Sequence, residues 1–125
     1  MLIDLADGWH AELDRGPDWL FVRLSGLQRG GGNVSLADAI WQLLQQNLAH
    51  RLVLELDDLP ILPSHVIGEL VKLHKRINTE GGLMRICGLS DECQSVLRMN
   101  RLDARFPHYG SRHDAVMGHY PAKPR

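Results

Sequence analysis

Seven histidines in a chain of 125 residues raise a metal reading first. His108, His113 and His119 form the cluster closest in sequence, and their spacing matches no standard zinc signature. His65 stands near the start of an expected helix and His74 on its inner stripe, so either meets other ligands only through the fold. Imidazoles at the surface or the edge of a core are the better reading, and no metal or cofactor is expected. The enzymatic alternative is a small metal-dependent hydrolase using the histidines with Asp57 or Asp58. Asp57-Asp58 also end a strand, where a phosphoacceptor aspartate would sit, but no partner lysine and acidic pair accompany them. Ser64 beside His65 lacks the glycines of a nucleophile elbow, so no catalytic dyad is read there. Gly30-Gly31-Gly32 precede a helix without the lysine of a phosphate-binding loop. Ser64 has the clearer physical setting, a hydroxyl where a loop enters a helix, which is where N-caps lie. A phosphate on it would add a charge of about −1.5 to −2 beside unpaired helix N–H groups, tolerable to the fold but not to an acidic or apolar partner surface.

The elements that position these residues follow from periodicity. Trp9, Ala11 and Leu13 alternate with polar residues, Asp14 to Asp18 supply turn chemistry, and Trp19 to Leu24 form an apolar run, which together predict an antiparallel hairpin. Ser35 and Asp38 have capping-box spacing ahead of a helix expected over Leu36 to Ala49. Leu52 to Leu56 read as a strand buried on both faces. Ile67, Leu70, Val71, His74 and Ile77 recur at helical spacing in a second helix that begins near Ser64 and stops at Gly81-Gly82. Leu83 to Gly88 give a third buried strand, Ser90-Asp91-Glu92 open another helix with Val96 and Leu97 pointing inward, and Phe106 to Tyr109 read as a last strand. Arg112 to Tyr120 read as a short terminal helix. The pattern predicts an α/β sandwich with a mixed β-sheet, an N-terminal antiparallel hairpin and helices packed on the sheet. One domain is expected over residues 1–120, followed by a flexible tail over 121–125.

Composition narrows the function classes. Fourteen basic against 15 acidic residues give a net charge of −1, which argues against nucleic acid as a partner. No apolar run reaches membrane-spanning length, and Asp4 and Asp7 stand where a signal peptide would be basic, so a cytoplasmic protein without direct membrane insertion is expected. Cys87 and Cys93 match neither a zinc pair nor a redox motif and are expected to be free thiols.

Over most of its length the chain resembles the STAS domain family, named for sulfate transporters and anti-sigma factor antagonists. Leu52-Val53-Leu54-Glu55-Leu56-Asp57-Asp58-Leu59 is similar to the family's central strand, followed by a loop, a serine and a helix with Gly68 and Leu70. Leu24-Ser25-Gly26, Leu73-His74-Lys75-Arg76, Gly81-Gly82, Gly88-Leu89-Ser90, Val96 to Met99 and Leu102-Asp103 continue the resemblance, and Phe106-Pro107 with Ala115-Val116 resembles its closing strand and helix. Antagonist members carry D-[ST]-S-G before this helix. With Gly68 and Gly81-Gly82 in register the phosphoacceptor falls on Ser64, while Pro63 replaces the acidic residue, His65 the second hydroxyl and Val66 the glycine. Arg101 stands where the family has a glycine near the end of its third helix.

The resemblance implies a non-enzymatic binding module in a partner-switching pathway of transcription regulation. Its partner would be an anti-sigma factor serine kinase, which brings its own ATP and magnesium, or a related signalling protein. Ser64 would be the phosphorylated switch, Pro63, His65 and Val66 its neighbours at the contact, and Glu69 and Lys72 exposed helix residues that set charge complementarity. The alternative is a constitutive, unphosphorylated adaptor in a transporter-associated or signalling assembly, which Pro63 and Val66 favour. An exposed edge of the N-terminal hairpin would offer a homodimer contact.

Overall fold

Alternating apolar and polar side chains make Trp9–Arg15 and Leu20–Gly26 two strands with one face each toward the core, joined by the Gly16-Pro17-Asp18 turn. In the computed structural model, which describes residues 1–5, 8–26 and 35–118, they are β2 and β3. A short strand β1 (Leu2–Asp4) precedes them. Then follow α1 (Leu36–Gln46), β4 (Arg51–Glu55), α2 (Ser64–Thr79), β5 (Leu83–Cys87), α3 (Asp91–Met99), β6 (His108–Tyr109) and α4 (Arg112–Met117). The six strands form one sheet in chain order. β1, β2 and β3 pair antiparallel, and β3 through β6 run parallel, as helical crossovers require. The expected mixed sheet and hairpin are present. Three residues are too few to show a period, so β1 carries no signal in the sequence. The Gly30 to Gly32 loop, His119 and the tail 121–125 lie outside the described residues.

One face of the sheet packs against α1, α2 and α3. Val22, Leu24, Leu52, Leu54 and Ile86 point into this core and are fully buried, and burying each such side chain is worth about 1.5–3 kcal/mol. The helix α2 contributes Val66, Ile67, Leu70, Leu73 and Ile77. Val71 and His74, expected on this stripe, sit half-buried at its edge, and His74 meets the Phe106 ring edge-on at 5.1 Å. Phe106, expected in the last strand, precedes it and fills the main core.

The opposite face carries a smaller cluster of Trp19, Phe21, Val53, Cys87 and Tyr109, covered by Ala115 and Val116 of α4. Two arginines fasten α4 there. Arg85 lies over the Trp19 and Tyr109 rings and donates to the carbonyls of Ala115 and Val116. Arg112 lies over Phe21 at 4.2 Å and donates to Asp14 and Glu55.

Candidate functional site

The loop between β4 and α2 is drawn tight by its backbone. Leu56 N donates to Cys87 O, Leu59 N donates to Leu56 O, and Leu59 and Leu62 are buried anchors. Asp57, Asp58, Pro60 and Ile61 are therefore left at the surface. Gly88, on the neighbouring connection, has φ +79 and faces Asp57; a Cβ there would collide with the Asp57 carboxylate. The lack of a side chain at Gly88 lets the two connections lie side by side.

The expected cap at Ser64 is corrected by the structure. Pro63 is the N-cap of α2, its carbonyl accepting from Val66 N and Ile67 N, and Ser64 is the first helical residue. Proline brings no side-chain acceptor and φ near −65°, which suits a helix entrance. The Ser64 side chain is left exposed rather than engaged as a cap. The other three helices are capped by serines, with Ser35 accepting from Asp38 N, Ser90 from Cys93 N and Ser111 from Asp114 N. Each also has an acidic residue in its first turn, whereas α2 has none.

Of the six residues singled out from the sequence, Pro63, Ser64 and His65 share the surface at the start of α2. Val66 does not join them. It is 1% exposed and packs in the main core, because it begins the 66, 70, 73, 77 stripe. Glu69 is also not the exposed charge expected. It turns toward α1, accepting from the Ser35 hydroxyl at 2.5 Å and from Ala37 N at 3.1 Å. Burial pushes its carboxyl up, but these hydrogen bonds and the Lys72 ammonium at 3.3 Å outweigh burial and hold it below the usual range. Lys72 is exposed, yet its Nζ leans on Glu69 and Ser35. Glu69 and Lys72 thus join the two helices.

A feature not read from the sequence is a shallow groove of about 200 Å³ beside Ser64. The loop side chains Pro60, Ile61, Leu62 and Pro63 form one wall, and Glu92, Cys93 and Val96 of α3 the other. Ile61 is 58% exposed there. The signal was Ile61 itself, an aliphatic residue held between two prolines in a short loop.

On the other side of the sheet, Glu55 is a buried carboxylate, 4% exposed. Arg23 donates to one of its oxygens at 3.3 Å, and Arg112 to the other through Nε and Nη2. Burial lowers the proton affinity of both guanidiniums, but the Glu55 hydrogen bonds and the surrounding carboxylates raise it further. Glu55, Asp57 and Cys87 offer ligand atoms within 4.8 Å of one another. These donors do not fit a cation. Both Glu55 oxygens already accept from arginines, and burial, then the charges of Glu55 and Asp57, push the Cys87 thiol up to about 12. Among the described residues no histidine joins this group or converges with Asp57 or Asp58 on a metal-ligand constellation.

Solved structures show the same fold. An anti-sigma factor antagonist from Mycobacterium paratuberculosis superposes with a TM-score of 0.73 at 19% identity, covering 93% of this chain and 97% of that one. The Bacillus cell fate determinant SpoIIAA in its phosphorylated form gives 0.63 at 13% identity, over 86% and 97%. A chain from the stressosome, a signal integration and transduction hub, gives 0.64 at 15% identity, over 86% and 94%. No match was found among the curated proteins. Among the described residues no helix is long and apolar enough to cross a membrane. The model of the STAS domain matches residues 10–115, from β2 to the middle of α4, and the chain belongs to the STAS domain family.

Proposed function

We propose that this chain is a protein-docking module of the anti-sigma factor antagonist type, engaging its partner through the β4–α2 loop and the first turn of α2. Phosphorylation of Ser64 would then switch partners. The observation that carries this reading is the exposed Ser64 side chain at the first position of α2, on a helix entrance with no side-chain cap and no acidic neighbour in its first turn. A phosphate there gains from the helix dipole while placing a hydrated dianion on the docking face. The partner is a serine kinase of the anti-sigma type, which supplies ATP and magnesium, or a related signalling protein. No catalysis is assigned to the chain itself, and it acts in the cytoplasm.

A second reading, a constitutive adaptor in a transporter-associated or signalling complex, is favoured by one observation. Val66, at the position of the motif's glycine, is committed to the core, and Pro63 caps the helix where the motif has an acid. Both positions contribute to folding rather than to kinase recognition.

Quantitative mass spectrometry of proteins retained by the native chain and by Ser64→Asp separates the two. Capture of a kinase-like ATPase by the native chain alone supports switching. Equal capture of one assembly component by both baits overturns it in favour of the adaptor.

A further inference from the structure

The groove beside Ser64 is built by two segments, residues 56–68 and 87–97. Together they carry Asp57, Asp58, Asp91 and Glu92 and contain no lysine or arginine. Glu92 lines the groove, and Asp57 and Asp58 precede Pro60 in the loop that walls it. All four acids are exposed. Arg23 reaches Asp57 and Asp58 only at 4.0 Å and is already hydrogen-bonded to Glu55. His65 is the one basic side chain within the two segments. The remaining lining, in contrast, is apolar, with Leu62 and Cys93 buried and Ile61 exposed.

From this combination we propose that the groove receives a basic segment of a partner protein, which seats one aliphatic side chain against Ile61, Leu62 and Val96 while flanking arginines or lysines pair with Asp58 and Glu92. Charge complementarity argues for this occupant. An acidic segment would bring its charges against Glu92 in the groove and against Asp58 and Asp91 in the segments that build it, whereas a basic one gains from all three. The apolar contact supplies affinity that is insensitive to salt, and the acidic rim supplies steering that salt screens. This inference rests on the docking reading of the face and is independent of whether Ser64 is phosphorylated.

The test is a titration of the 15N-labelled full chain with three short synthetic peptides of equal length: one of arginines around a central leucine, one with that leucine changed to serine, and one with glutamates in place of the arginines. The arginine–leucine peptide should shift the amide signals of residues 61–65 and 92–96, and the serine peptide should bind about tenfold more weakly for loss of the buried side chain. The glutamate peptide should leave these signals unmoved. Asp58→Asn with Glu92→Gln should weaken the arginine–leucine peptide, and Ile61→Asp should abolish its leucine preference, with both variants retaining the native amide pattern elsewhere. Tighter binding of the glutamate peptide, equal binding by the Asp58→Asn/Glu92→Gln variant, or no shift with any peptide overturns the proposal. If a partner captured through Ser64 still binds the Asp58→Asn/Glu92→Gln variant as tightly as the native chain, this inference fails while the docking reading stands.

Discussion

Ser35 and Glu69 face each other across the junction of α1 and α2, the hydroxyl donating to Oε1. The same carboxylate accepts from Ala37 N in the first turn of α1. Glu69 therefore completes the N-terminal capping of a helix other than its own and links α2 to α1. Glu69→Ala should cost about 1–2 kcal/mol, the penalty for a partly buried donor losing its acceptor, and Glu69→Gln distinctly less. Because the folded carboxyl lies below the usual range, its contribution is complete above the ordinary value of 4.5 and lost as pH falls beneath it. Urea unfolding of the native chain and Glu69→Gln at pH 7 and pH 4 checks this, and a difference between the two proteins that does not shrink in acid contradicts it.

Ser64→Ala should change stability by less than about 0.5 kcal/mol, since no cap bond is lost, whereas Ser90→Ala should cost about 1 kcal/mol. Ser64→Asp should stabilise by about 0.3–1 kcal/mol through the dipole of α2. Thermal unfolding of the three variants decides the matter. A cost at Ser64 equal to that at Ser90 would mean that its hydroxyl caps the helix in solution.

The difference between Ser64 and Ser90 shows where sequence reasoning stops. Serine before a helical period is a sound cap signal, and Ser35 and Ser90 obey it. At Ser64 the preceding proline takes the N-cap position and moves the serine one residue into the helix. The inward place of Val66 was legible from its spacing to Leu70, Leu73 and Ile77, but the motif resemblance drew attention to its position beside Ser64 instead. The partners of Glu55 were not legible. Arg23 and Arg112 lie 32 and 57 residues away in sequence, and only the β3–β4 pairing and the packing of α4 on the sheet bring them together.

The two arginines on the buried Glu55 carboxylate give a prediction of their own. Removing the Glu55 carboxylate leaves two guanidiniums facing each other at the edge of the smaller core. Glu55→Ala should destabilise by about 1–2 kcal/mol and loosen α4, since the guanidiniums it leaves are 39% and 37% exposed and Arg112 keeps Asp14. Arg23→Met should cost about 1 kcal/mol, because that side chain is 39% exposed and water screens much of its interaction. Hydrogen exchange should show amides 112–117 losing protection in Glu55→Ala before the rest of the chain unfolds; uniform loss would show that the trio does not hold α4 in particular.

His108 makes stability depend on mildly acidic pH. Its Nε2 accepts from Leu89 N at 3.2 Å, which requires the neutral ring, and burial lowers its proton affinity against the opposing pull of Asp57 and Asp91. A folded value below the ordinary 6.5 means that the contribution is complete above that pH and declines as pH falls through it. His74, lowered by burial and by Arg105, acts in the same direction. His108→Gln should flatten the loss of stability between pH 7.5 and pH 5.5 relative to the native chain. Parallel slopes in chemical denaturation would assign the loss to other groups.

The helices α1, α2 and α3 end with the same backbone turn, and of these only α2 ends with the residue that suits it. After α2, Gly81 takes φ +81, with Gly81 N donating to Asn78 O and Gly82 N to Ile77 O. After α1 the equivalent residue is Leu48 at φ 52, and after α3 it is Arg101 at φ 58, each followed by the same pair of backbone bonds. A side chain in this left-handed conformation costs about 1–2 kcal/mol, whereas glycine loses about 0.4–1 kcal/mol more chain entropy on folding. The first figure is the larger, so Leu48→Gly and Arg101→Gly should each stabilise the chain by about 0.5–1 kcal/mol. Leu48 is 82% exposed and Arg101 is exposed, so little packing is lost with either side chain. The two turns share no partner, and their effects should add in the double variant. Gly81→Ala is the converse, and should destabilise by a similar amount although a Cβ there meets no atom within 4 Å. Denaturant midpoints of the four proteins test the whole set. Destabilisation by Arg101→Gly would mean that the arginine makes a contact in solution worth more than its backbone strain.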